Sequence, residues 1–428
     1  METKQQNYWH TTVRMPDDTQ LTPLPSKADV AVIGGGFTGL SAARTLAKRG
    51  VKVAVLEANT IGWGASSRNG GMVLTGLKLS METLYKKYGA ETAKALFQCS
   101  LDAIKTVEQI VEEESIDCGF ARRGSLLVAN KPAHYQAMIE SAEFMEREFG
   151  HKLRLVPRSE QRQEIGTDLY YGGLVDDVSG GLNPAQYVAG LARAAEKAGA
   201  SLHACARVKK IDRTGTGFRV QTERGDISAE KVLVATSGYT GGATPRLQRK
   251  IIPIGSFIIA TEELPAEVVQ GLSPHQRMMF DYRHYLNYFR IWQNRLIFGG
   301  RAAFFPEDQH TLRSSADILR NDMLRIYPQL KDAKVEYVWG GTLDFAFDMM
   351  THIGEMDGMA FALGYAGHGV ALATYLGKAV GDGMLDGSLA KQPFASVAFP
   401  GAPLGLYNGW PWFLPFAGMW HRILDWVE

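Results

Sequence analysis

Cysteines and long apolar runs are scarce in this sequence. The 428 residues include three cysteines, Cys99, Cys118 and Cys205, which lie far apart and form no CxxC pair. An odd number of scattered cysteines argues against a disulfide framework and favours reduced thiols. No stretch reaches the roughly 18 apolar residues of a membrane-spanning helix. The first 25 residues are polar and lack the apolar core of a signal peptide, so we expect a cytoplasmic protein without membrane contact.

An excess of charge of either sign is also missing. The 46 Lys and Arg residues nearly balance the 45 Asp and Glu residues, which leaves a formal net charge of +1. This balance gives no electrostatic reason to expect a nucleic-acid partner. Apolar residues make up 45% of the chain and charged residues 21%, as in ordinary globular proteins. The length exceeds the roughly 250–300 residues at which single cores stop growing, so we expect two intertwined domains.

The first hundred residues alternate between strand and helix patterns. The apolar run 29–33 predicts a strand, 34–39 a turn, 40–49 a helix that ends at Gly50, and 51–56 a second strand. This order is a βαβ unit, which predicts a parallel sheet.

The remaining pattern predicts a nucleotide-binding fold into which a second sheet is inserted. Between residues 250 and 301, long β-branched and aromatic runs with a turn at Gln293-Asn294 predict antiparallel hairpins. We therefore expect an α/β protein, α+β overall, with a discontinuous Rossmann-type domain and an antiparallel-sheet substrate domain. Helices are predicted over 90–114, 134–149, 183–199, 314–326 and 370–385, and strands over 124–129, 208–211, 231–236 and 361–363, with parallel-strand character at 208–211 and 231–236.

A GxGxxG motif occupies the first predicted turn. Gly34 permits a tight turn, Gly36 allows close approach to a pyrophosphate, and Gly39 allows the helix to pack closely on the strand. The motif alone is weak, but here it lies between a strand and a helix whose N-terminus favours phosphate binding. Phe37 and Thr38, inside the motif, are therefore expected to contact a dinucleotide.

An acidic residue ends the second predicted strand. Glu57 follows Gly39 by 18 residues, where a carboxylate accepts hydrogen bonds from ribose hydroxyls. The alternative is a solvated acid at the end of a strand. A carboxylate at this position repels a 2′-phosphate, which disfavours NADP and leaves FAD and NAD. We expect Glu57 and the adjacent Ala58 to contact the ribose.

Two further glycine-rich segments are candidates for cofactor contacts. One is a loop of small residues after Glu57, which suits a long anionic ligand, although a surface loop is the alternative. The other lies before the last predicted helix, whose N-terminus would stabilise negative charge on a flavin edge. His368 alone is consistent with helix capping, but beside three glycines we expect a flavin contact. The candidate residues are Gly64, Ala65, Ser66, Arg68, Asn69, Gly70 and Gly71 in the loop, and Gly367, His368, Gly369 and Val370 before the helix.

Together these motifs resemble the FAD-dependent D-amino-acid oxidase, sarcosine oxidase and glycine oxidase superfamily. The resemblance covers nearly the whole chain, and within the superfamily the motifs are most similar to the gamma-glutamylputrescine oxidases. They are GWGASSRNGG (62–71), VLVATSGYTGG (233–243), FGGR (298–301), WGGTLDF (339–345) and GYAGHGVALATYLG (364–377).

The resemblance implies a domain division and further cofactor contacts. Residues 26–110, 180–250 and 330–390 would form the FAD-binding domain, and 111–179 and 251–329 the substrate domain. Separately from the resemblance, the tryptophans and few charges of the C-terminal aromatic segment, 391–428, favour packing against the flavin domain or a partner subunit; interfacial membrane contact is the alternative, which the low basic charge disfavours. Val208 would contact adenine through its backbone, and Thr236 and Gly238 would lie near the dinucleotide.

Departures from the superfamily pattern bear on the cofactor and the acceptor. Monomeric sarcosine oxidases attach FAD through a cysteine in the stretch that matches 339–353, and the dimethylglycine dehydrogenase type uses a histidine after the first motif. This chain has neither, so we expect non-covalent FAD and no metal. Several of these oxidases place a lysine over the flavin, where this chain has Ile297. Molecular oxygen and another electron acceptor therefore both stay open.

The expected reaction is oxidation of a C–N bond in an amine or amino acid to an imine, which then hydrolyses. Oxygen is the expected acceptor, which would give hydrogen peroxide. The alternatives are a flavin dehydrogenase with a quinone or protein acceptor and, less favoured, a non-catalytic FAD-binding sensor. Arginine suits a substrate carboxylate, and Tyr288 and Arg290 share a face of the predicted hairpin. The candidate substrate residues are Tyr288, Arg290, Arg301, Trp339 and His352.

Overall fold

The structure is a computed structural model that describes residues 3–16, 21–283, 286–303 and 309–413. Helices and strands alternate along most of this part of the chain. The strands are β1 (Lys27–Ile33), β2 (Val53–Leu56), β3 (Met72–Val73), β4 (Ser125–Val128), β5 (Arg154–Pro157), β6 (Gly172–Asp176), β7 (Gly180–Gly181), β8 (Ser201–His203), β9 (Val208–Thr214), β10 (Gly217–Thr222), β11 (Gly225–Val234), β12 (Ile251–Thr261), β13 (Met278–Asp281), β14 (Tyr288–Trp292), β15 (Arg295–Ala303), β16 (Val335–Ala346), β17 (His352–Met356) and β18 (Met359–Leu363).

The helices cover the sheets and follow the predicted pattern closely. None of the helices in the described ranges is long and apolar enough to cross a membrane. They are α1 (Phe37–Lys48), α2 (Met81–Tyr88), α3 (Ala90–Glu113), α4 (Pro132–Phe149), α5 (Pro184–Lys197), α6 (Pro245–Gln248), α7 (Ala266–Leu272), α8 (Gln309–Ile326) and α9 (Gly369–Asp386).

The first sheet has the predicted parallel centre. Its main order is β17-β18-β11-β1-β2-β8, in which β1 pairs in parallel with β2 and β11, and β11 pairs in parallel with β18. Helices α1, α3, α5 and α9 enclose one large apolar core with this sheet. The βαβ unit is confirmed, but α1 begins at Phe37 rather than at residue 40, because the helix starts inside the glycine motif itself.

The predicted parallel character of 208–211 is wrong. Strand β9 pairs antiparallel with β10, which in turn pairs antiparallel with β11. Only Gly215 and Thr216 connect β9 to β10. A parallel pair needs a crossover of a dozen or more residues, so this short connection permits only a hairpin.

The second sheet has the order β16-β12-β15-β14-β13-β4-β6-β5. Its predicted hairpin joins β14 to β15 through Gln293 and Asn294, which have φ angles of 46° and 58°. Positive φ at both central residues matches the twist of a two-residue hairpin turn. Strand β16 lies within the stretch 330–390 but pairs with β12 along nearly its whole length. Residues of the two predicted domains therefore share one sheet at this point.

The two faces of the second sheet have different neighbours. One face, with Phe289 and Phe298, packs on α8 in an apolar core. The other face, with Ile297 and Trp339, packs on residues near the start of the chain in a smaller aromatic cluster. This second face also looks towards the loop that follows Glu57, so it positions the candidate site.

Candidate FAD and substrate site

The GxGxxG turn requires glycine at two of its positions. Gly34 has a φ of 108°, and a Cβ atom there would overlap the carbonyl oxygen of Ala235 at the end of β11. A Cβ atom at Gly39 would overlap the carbonyl oxygen of Gly34. The turn therefore brings the N-terminus of α1 directly against β1 and β11, as a dinucleotide-binding turn does.

The N-terminus of α1 is open for an anion. Its N-cap residue, Gly36, has no side chain to accept from the first helical N–H groups. One of these groups, the N–H of Phe37, donates to Ser66 Oγ at 2.9 Å. A Cβ atom at Gly36 would lie 2.7 Å from the same oxygen. The close approach of the Ser66 loop and the helix dipole together form a site that suits phosphate.

Glu57 lies at the predicted position beyond β2. Its carboxylate accepts from the N–H of Gly35 at 2.8 Å and from the N–H of Asn59 at 2.9 Å. The carboxylate is thereby fixed beside the glycine turn, where a ribose bound to that turn would reach it. The carbonyl oxygen of Glu57 also accepts from the N–H of Ala206. Val208, the residue expected to contact adenine, lies only two positions beyond Ala206.

The loop Trp63–Gly71, which we call the flavin loop, is shaped by two of its own side chains. Arg68 Nε donates to the carbonyl oxygen of Trp63 at 2.8 Å, and the guanidinium lies 4.6 Å from the centre of that indole ring. Asn69 Nδ2 donates to the carbonyl oxygens of Ala65 and Ser66, and Asn69 Oδ1 accepts from the N–H of Gly71. The two predicted cofactor residues Arg68 and Asn69 thus also maintain the loop conformation.

The third glycine segment is held by a carboxylate that the sequence did not reveal. Asp344, which is 3% exposed, accepts from the N–H groups of Gly364 at 2.7 Å and Tyr365 at 3.2 Å. Burial raises the pKa of Asp344. The only signal for this role was the position of Asp344 in the WGGTLDF motif, because its partners lie about 20 residues further along the chain.

His368 is the N-cap residue of α9, and this helix also lacks a side-chain cap. The Nδ1 atom of His368 is buried and has no hydrogen-bond partner within the part of the chain that the structure describes. Burial and the charge of Lys78 lower the pKa of His368 to about 4, so the imidazole is neutral at pH 7. The open end of α9 and this unpartnered nitrogen lie in the segment in which we expected a flavin contact.

Tyr288 and Arg290 lie on one face of β14, as predicted. The Tyr288 ring covers Gly299 on the paired strand, and a Cβ atom at Gly70 would lie 3.1 Å from the same ring. The Tyr288 hydroxyl is 3.1 Å from Ser256 Oγ. Burial raises the pKa of Tyr288 to about 12, which keeps the phenol protonated. The flavin loop and the second sheet therefore meet at a tyrosine that can donate a hydrogen bond.

Arg290 lies deeper than Tyr288. It is 2% exposed, and its Nη1 atom donates to the carbonyl oxygens of Gly71 at 2.7 Å and Leu182 at 3.1 Å. Its guanidinium carbon lies 5.0 Å from the ring centre of Trp292. Burial, and then the charge of Arg123, lower the pKa of Arg290 to about 9. These contacts hold the end of the flavin loop against β14.

The architecture and the glycine motifs match one known family. Residues 29–382 match the family described as FAD dependent oxidoreductase, or DAO. The chain belongs to this family of FAD-dependent oxidoreductases. It is 34% identical over 393 residues to the probable oxidoreductase OrdL of Haemophilus influenzae. This alignment covers 90% of this chain and 89% of that protein. It is 31% identical to the gamma-glutamylputrescine oxidoreductase of Escherichia coli, over 87% of this chain and 88% of that protein.

Solved structures show the same fold at low sequence identity. Glycine oxidase from Geobacillus kaustophilus superposes with a TM-score of 0.73 at 22% identity, over 88% of this chain and 97% of that chain. L-proline dehydrogenase from P. horikoshii superposes with a TM-score of 0.71 at 21% identity, over 87% of this chain and 96% of that chain. The chain is thus an FAD-dependent enzyme with the DAO fold.

The described residues fit FAD in three respects. The N-cap residues of α1 and α9, Gly36 and His368, make no side-chain cap hydrogen bond. The buried Nδ1 atom of His368 has no hydrogen-bond partner among the described residues. The acid at the end of β2 is Glu57, which suits a ribose. FAD held here would place its phosphates at α1 and supply two-electron redox chemistry beside Tyr288.

Two of the predicted substrate residues make their described hydrogen bonds away from Tyr288, although Trp339 belongs to the cluster against which Tyr288 packs. His352 is fully buried, and its Nε2 atom lies 3.0 Å from Asp348 Oδ1. Its ring stacks on that of Phe399, with the ring centres 4.2 Å apart. We therefore leave it out of the proposed substrate site. Trp339 is also buried and donates from Nε1 to the carbonyl oxygen of Arg68, so it supports the flavin loop. The side chain of Arg301 lies outside the described part of the structure.

The C-terminal aromatic segment is described only as far as Phe413. Within that part, Tyr407 is buried and donates to the carbonyl oxygen of Ile251, while Phe347 packs on both Tyr407 and Phe413. Residues 414–428 lie outside the described ranges. The expected packing against the flavin domain or a partner subunit stays a prediction.

Proposed function

We propose that this enzyme oxidises the C–N bond of an amine or amino acid that carries a carboxylate, with gamma-glutamyl polyamines and N-alkyl amino acids as the candidate substrates. The observation that carries the proposal is the meeting of Tyr288 with Gly70 and Gly299, where the flavin loop faces the second sheet. The chain belongs to an FAD-dependent family, and we place the flavin beside this junction. The 31% identity to a gamma-glutamylputrescine oxidoreductase supports this amine class.

FAD, when bound, would supply the two-electron oxidation of the substrate C–N bond to an imine, which water then hydrolyses. The residues of the chain then have to orient a neutral amine and exclude water from it. Tyr288 stays protonated because burial raises its pKa to about 12, so it acts as a hydrogen-bond donor and not as a base. Ser256 Oγ, 3.1 Å away, provides a second hydroxyl at the same place.

Positive charge at this junction favours an anionic group on the substrate. The guanidinium of Arg290 lies behind Gly71 and contacts carbonyl oxygens and tryptophans. A buried cation without a carboxylate is costly, and a nearby substrate anion lowers that cost. Arg301, two residues beyond Gly299 on β15, is our second candidate for this role. We assign direct substrate contact to Tyr288 and a supporting position to Arg290.

The decisive experiment is anaerobic reduction of the bound flavin by matched amines. Each carboxylated amine, including gamma-glutamylputrescine and an N-methyl amino acid, is paired with an analogue in which a neutral carboxamide replaces the carboxylate. We expect the carboxylated member of each pair to bleach the flavin absorbance faster. Arg301→Ala should raise KM more than it lowers kcat, because an anchoring contact exists in the ground and transition states alike. Equal reduction by charged and uncharged partners would contradict the carboxylate anchor and leave the family assignment intact.

The electron acceptor is a separate question, and we propose oxygen. Ile297, where the resemblance would place a lysine, is buried in the aromatic cluster with Trp9 and Trp339, which favours a dehydrogenase as the second candidate. Mixing the substrate-reduced enzyme with air-saturated buffer separates the two. Rapid return of the flavin absorbance with one hydrogen peroxide per turnover supports an oxidase. Slow return in air and fast return with a quinone would support a dehydrogenase.

A further inference from the structure

A short segment near the start of the chain lies directly over the flavin loop. It consists of Asn7–Thr12, of which Tyr8–Thr11 form one 3-10 turn. Asn7 caps this turn, since its Oδ1 atom accepts from the N–H of Trp9 at 3.0 Å. Neither the glycine motifs nor the predicted strands and helices assign a role to this segment.

Three consecutive carbonyl groups of the flavin loop accept hydrogen bonds from side chains outside the loop. Asn7 Nδ2 donates to the carbonyl oxygen of Ser67 at 2.8 Å, and Trp9 Nε1 donates to that of Asn69 at 2.9 Å. The carbonyl oxygen between them, that of Arg68, accepts from Trp339 Nε1 at 2.9 Å. Two of the three donors therefore belong to the N-terminal segment.

A fourth contact comes from His10. Its Nε2 atom lies 2.9 Å from Ser67 Oγ. Ser67 is completely buried and directly follows Ser66, whose hydroxyl accepts from the N-terminus of α1. The segment thus holds the loop immediately beside the residue that reaches the phosphate end of the expected cofactor site.

The donors are themselves fixed by burial in the second sheet. Trp9 is 0% exposed, and its ring centre lies 5.8 Å from that of Trp292 and 6.4 Å from that of Trp339. The guanidinium of Arg290 lies 5.8 Å from the same indole. A side chain packed on three sides in this way presents its N–H in one orientation, so it can fix the position of a loop.

We propose that Asn7 and Trp9 are positioning residues of the cofactor site, which set the flavin loop for FAD binding through the carbonyl groups of Ser67 and Asn69. The proposal rests on the FAD-dependent family of the enzyme and not on the identity of the amine. It assigns to the beginning of the chain a share of the cofactor affinity. Its failure would therefore leave the proposed amine oxidation untouched.

Two substitutions remove the donors while keeping part of each side chain. Asn7→Asp retains the oxygen that caps the 3-10 turn and loses the N–H that reaches Ser67. Trp9→Phe retains an aromatic ring against Trp292 and Trp339 and loses the N–H that reaches Asn69. Lys4→Met is the matched control, because Lys4 pairs with Glu336 at 2.8 Å on β16 and does not contact the flavin loop.

The measurement is the dissociation constant of FAD from the holoprotein, together with the visible circular dichroism of the bound flavin and the unfolding midpoint. Loss of one hydrogen bond to a buried carbonyl corresponds to about a tenfold change in an equilibrium constant. We expect Asn7→Asp and Trp9→Phe each to raise the FAD dissociation constant about tenfold and to alter the dichroism bands. We expect Lys4→Met to do neither.

Two results would overturn the proposal. If both donor variants bind FAD with wild-type affinity and dichroism, the segment does not position the loop. If Lys4→Met weakens FAD binding as much as they do, the effect is a general loss of stability. Should Asn7→Asp fail to fold, the result with Trp9→Phe decides the question alone.

Discussion

The hydroxyl of Thr38 lies 2.7 Å from the hydroxyl of Tyr365, although 327 positions separate the two residues in the chain. Thr38 belongs to the GxGxxG turn at the start of α1, and Tyr365 belongs to the glycine segment before α9. The bond joins the region expected to hold the phosphates to the region expected to hold the flavin ring. Removing this bond by substitution therefore tests whether the two regions act as one site.

Removal of this bond should affect both stability and cofactor binding. Tyr365→Phe leaves the buried Thr38 hydroxyl without this partner, which costs about 1–3 kcal/mol of unfolding free energy. We expect a several-fold weaker affinity for FAD as well. Urea unfolding and FAD titration measure the two effects. Tyr375→Phe is the control, since Tyr375 lies on α9, beyond this segment, and its hydroxyl donates to Cys99 Sγ at 3.6 Å. Equal losses in both variants would argue against a link to the cofactor.

Glu57 should contribute to FAD affinity through its charge. In Glu57→Gln the carboxylate that accepts from Gly35 and Asn59 is neutralised, and charge-assisted bonds of this kind contribute about 1.5–3 kcal/mol each. We expect FAD to bind at least tenfold more weakly while the apoprotein stays folded. Asp29→Asn is the control, because Asp29 also accepts a backbone N–H in the same sheet, from Lys52. An unchanged FAD dissociation constant in Glu57→Gln would contradict the ribose role.

Denaturation of the protein should release the cofactor as intact FAD. The stretch 339–353 contains no cysteine, and Cys99 and Cys118 are buried in the apolar core around α1 and α3. We expect acid precipitation to release all of the yellow chromophore into the supernatant as FAD, identified by its chromatographic mobility. Flavin that remains with the pellet would show a covalent bond that this sequence does not predict.

Stability should fall as the pH is lowered below the ordinary range of histidine. Burial, and then the charge of Arg68, lower the pKa of His10 to about 4. The unfolded chain keeps the ordinary value near 6.5, so between pH 6.5 and 4 it binds more protons than the folded chain. The contribution of His10 to stability is therefore complete above pH 6.5 and declines on acidification. His10→Asn should reduce the slope of unfolding free energy against pH in this window. An identical slope in the variant would contradict the lowered pKa.

A substitution of Arg290 distinguishes support of the flavin loop from direct contact with the substrate. Arg290→Met removes the donor to Gly71 and Leu182 but keeps an apolar side chain against Trp292. If Arg290 acts through the loop, the variant should lower kcat and weaken FAD binding for charged and uncharged amines alike. An increase in KM confined to carboxylated amines, with FAD affinity unchanged, would instead show direct contact with the substrate.

Local patterns in the sequence predicted the cofactor turn and most of the helices, because these depend on neighbours in the chain. Gly34 and Gly39 are required by a turn of a few residues, and α3 follows a periodic apolar face. Asp344 could not be assigned in this way, since its partners Gly364 and Tyr365 meet it only after β16 and β18 are in place.

The same reason explains the other omissions. The contact between Trp9 and Asn69 joins positions 60 residues apart, and no local pattern encodes it. The face shared by Tyr288 and Arg290 followed from strand alternation, but the depth of Arg290 depends on Leu182, Gly71 and Trp292 together. Alternation gives the face of a residue, whereas its burial depends on which distant segments cover that face.

The bond between Tyr365 and Thr38 also has a consequence for when the site can form during biosynthesis. The ribosome synthesises the glycine turn and Glu57 long before it reaches Asp344, Tyr365 and α9. Until these late segments leave the ribosome, the early ones lack the partners that complete the expected cofactor site. We therefore expect stable cofactor capture to be a late, largely post-translational event, and nascent chains that stop before residue 369 should not retain FAD.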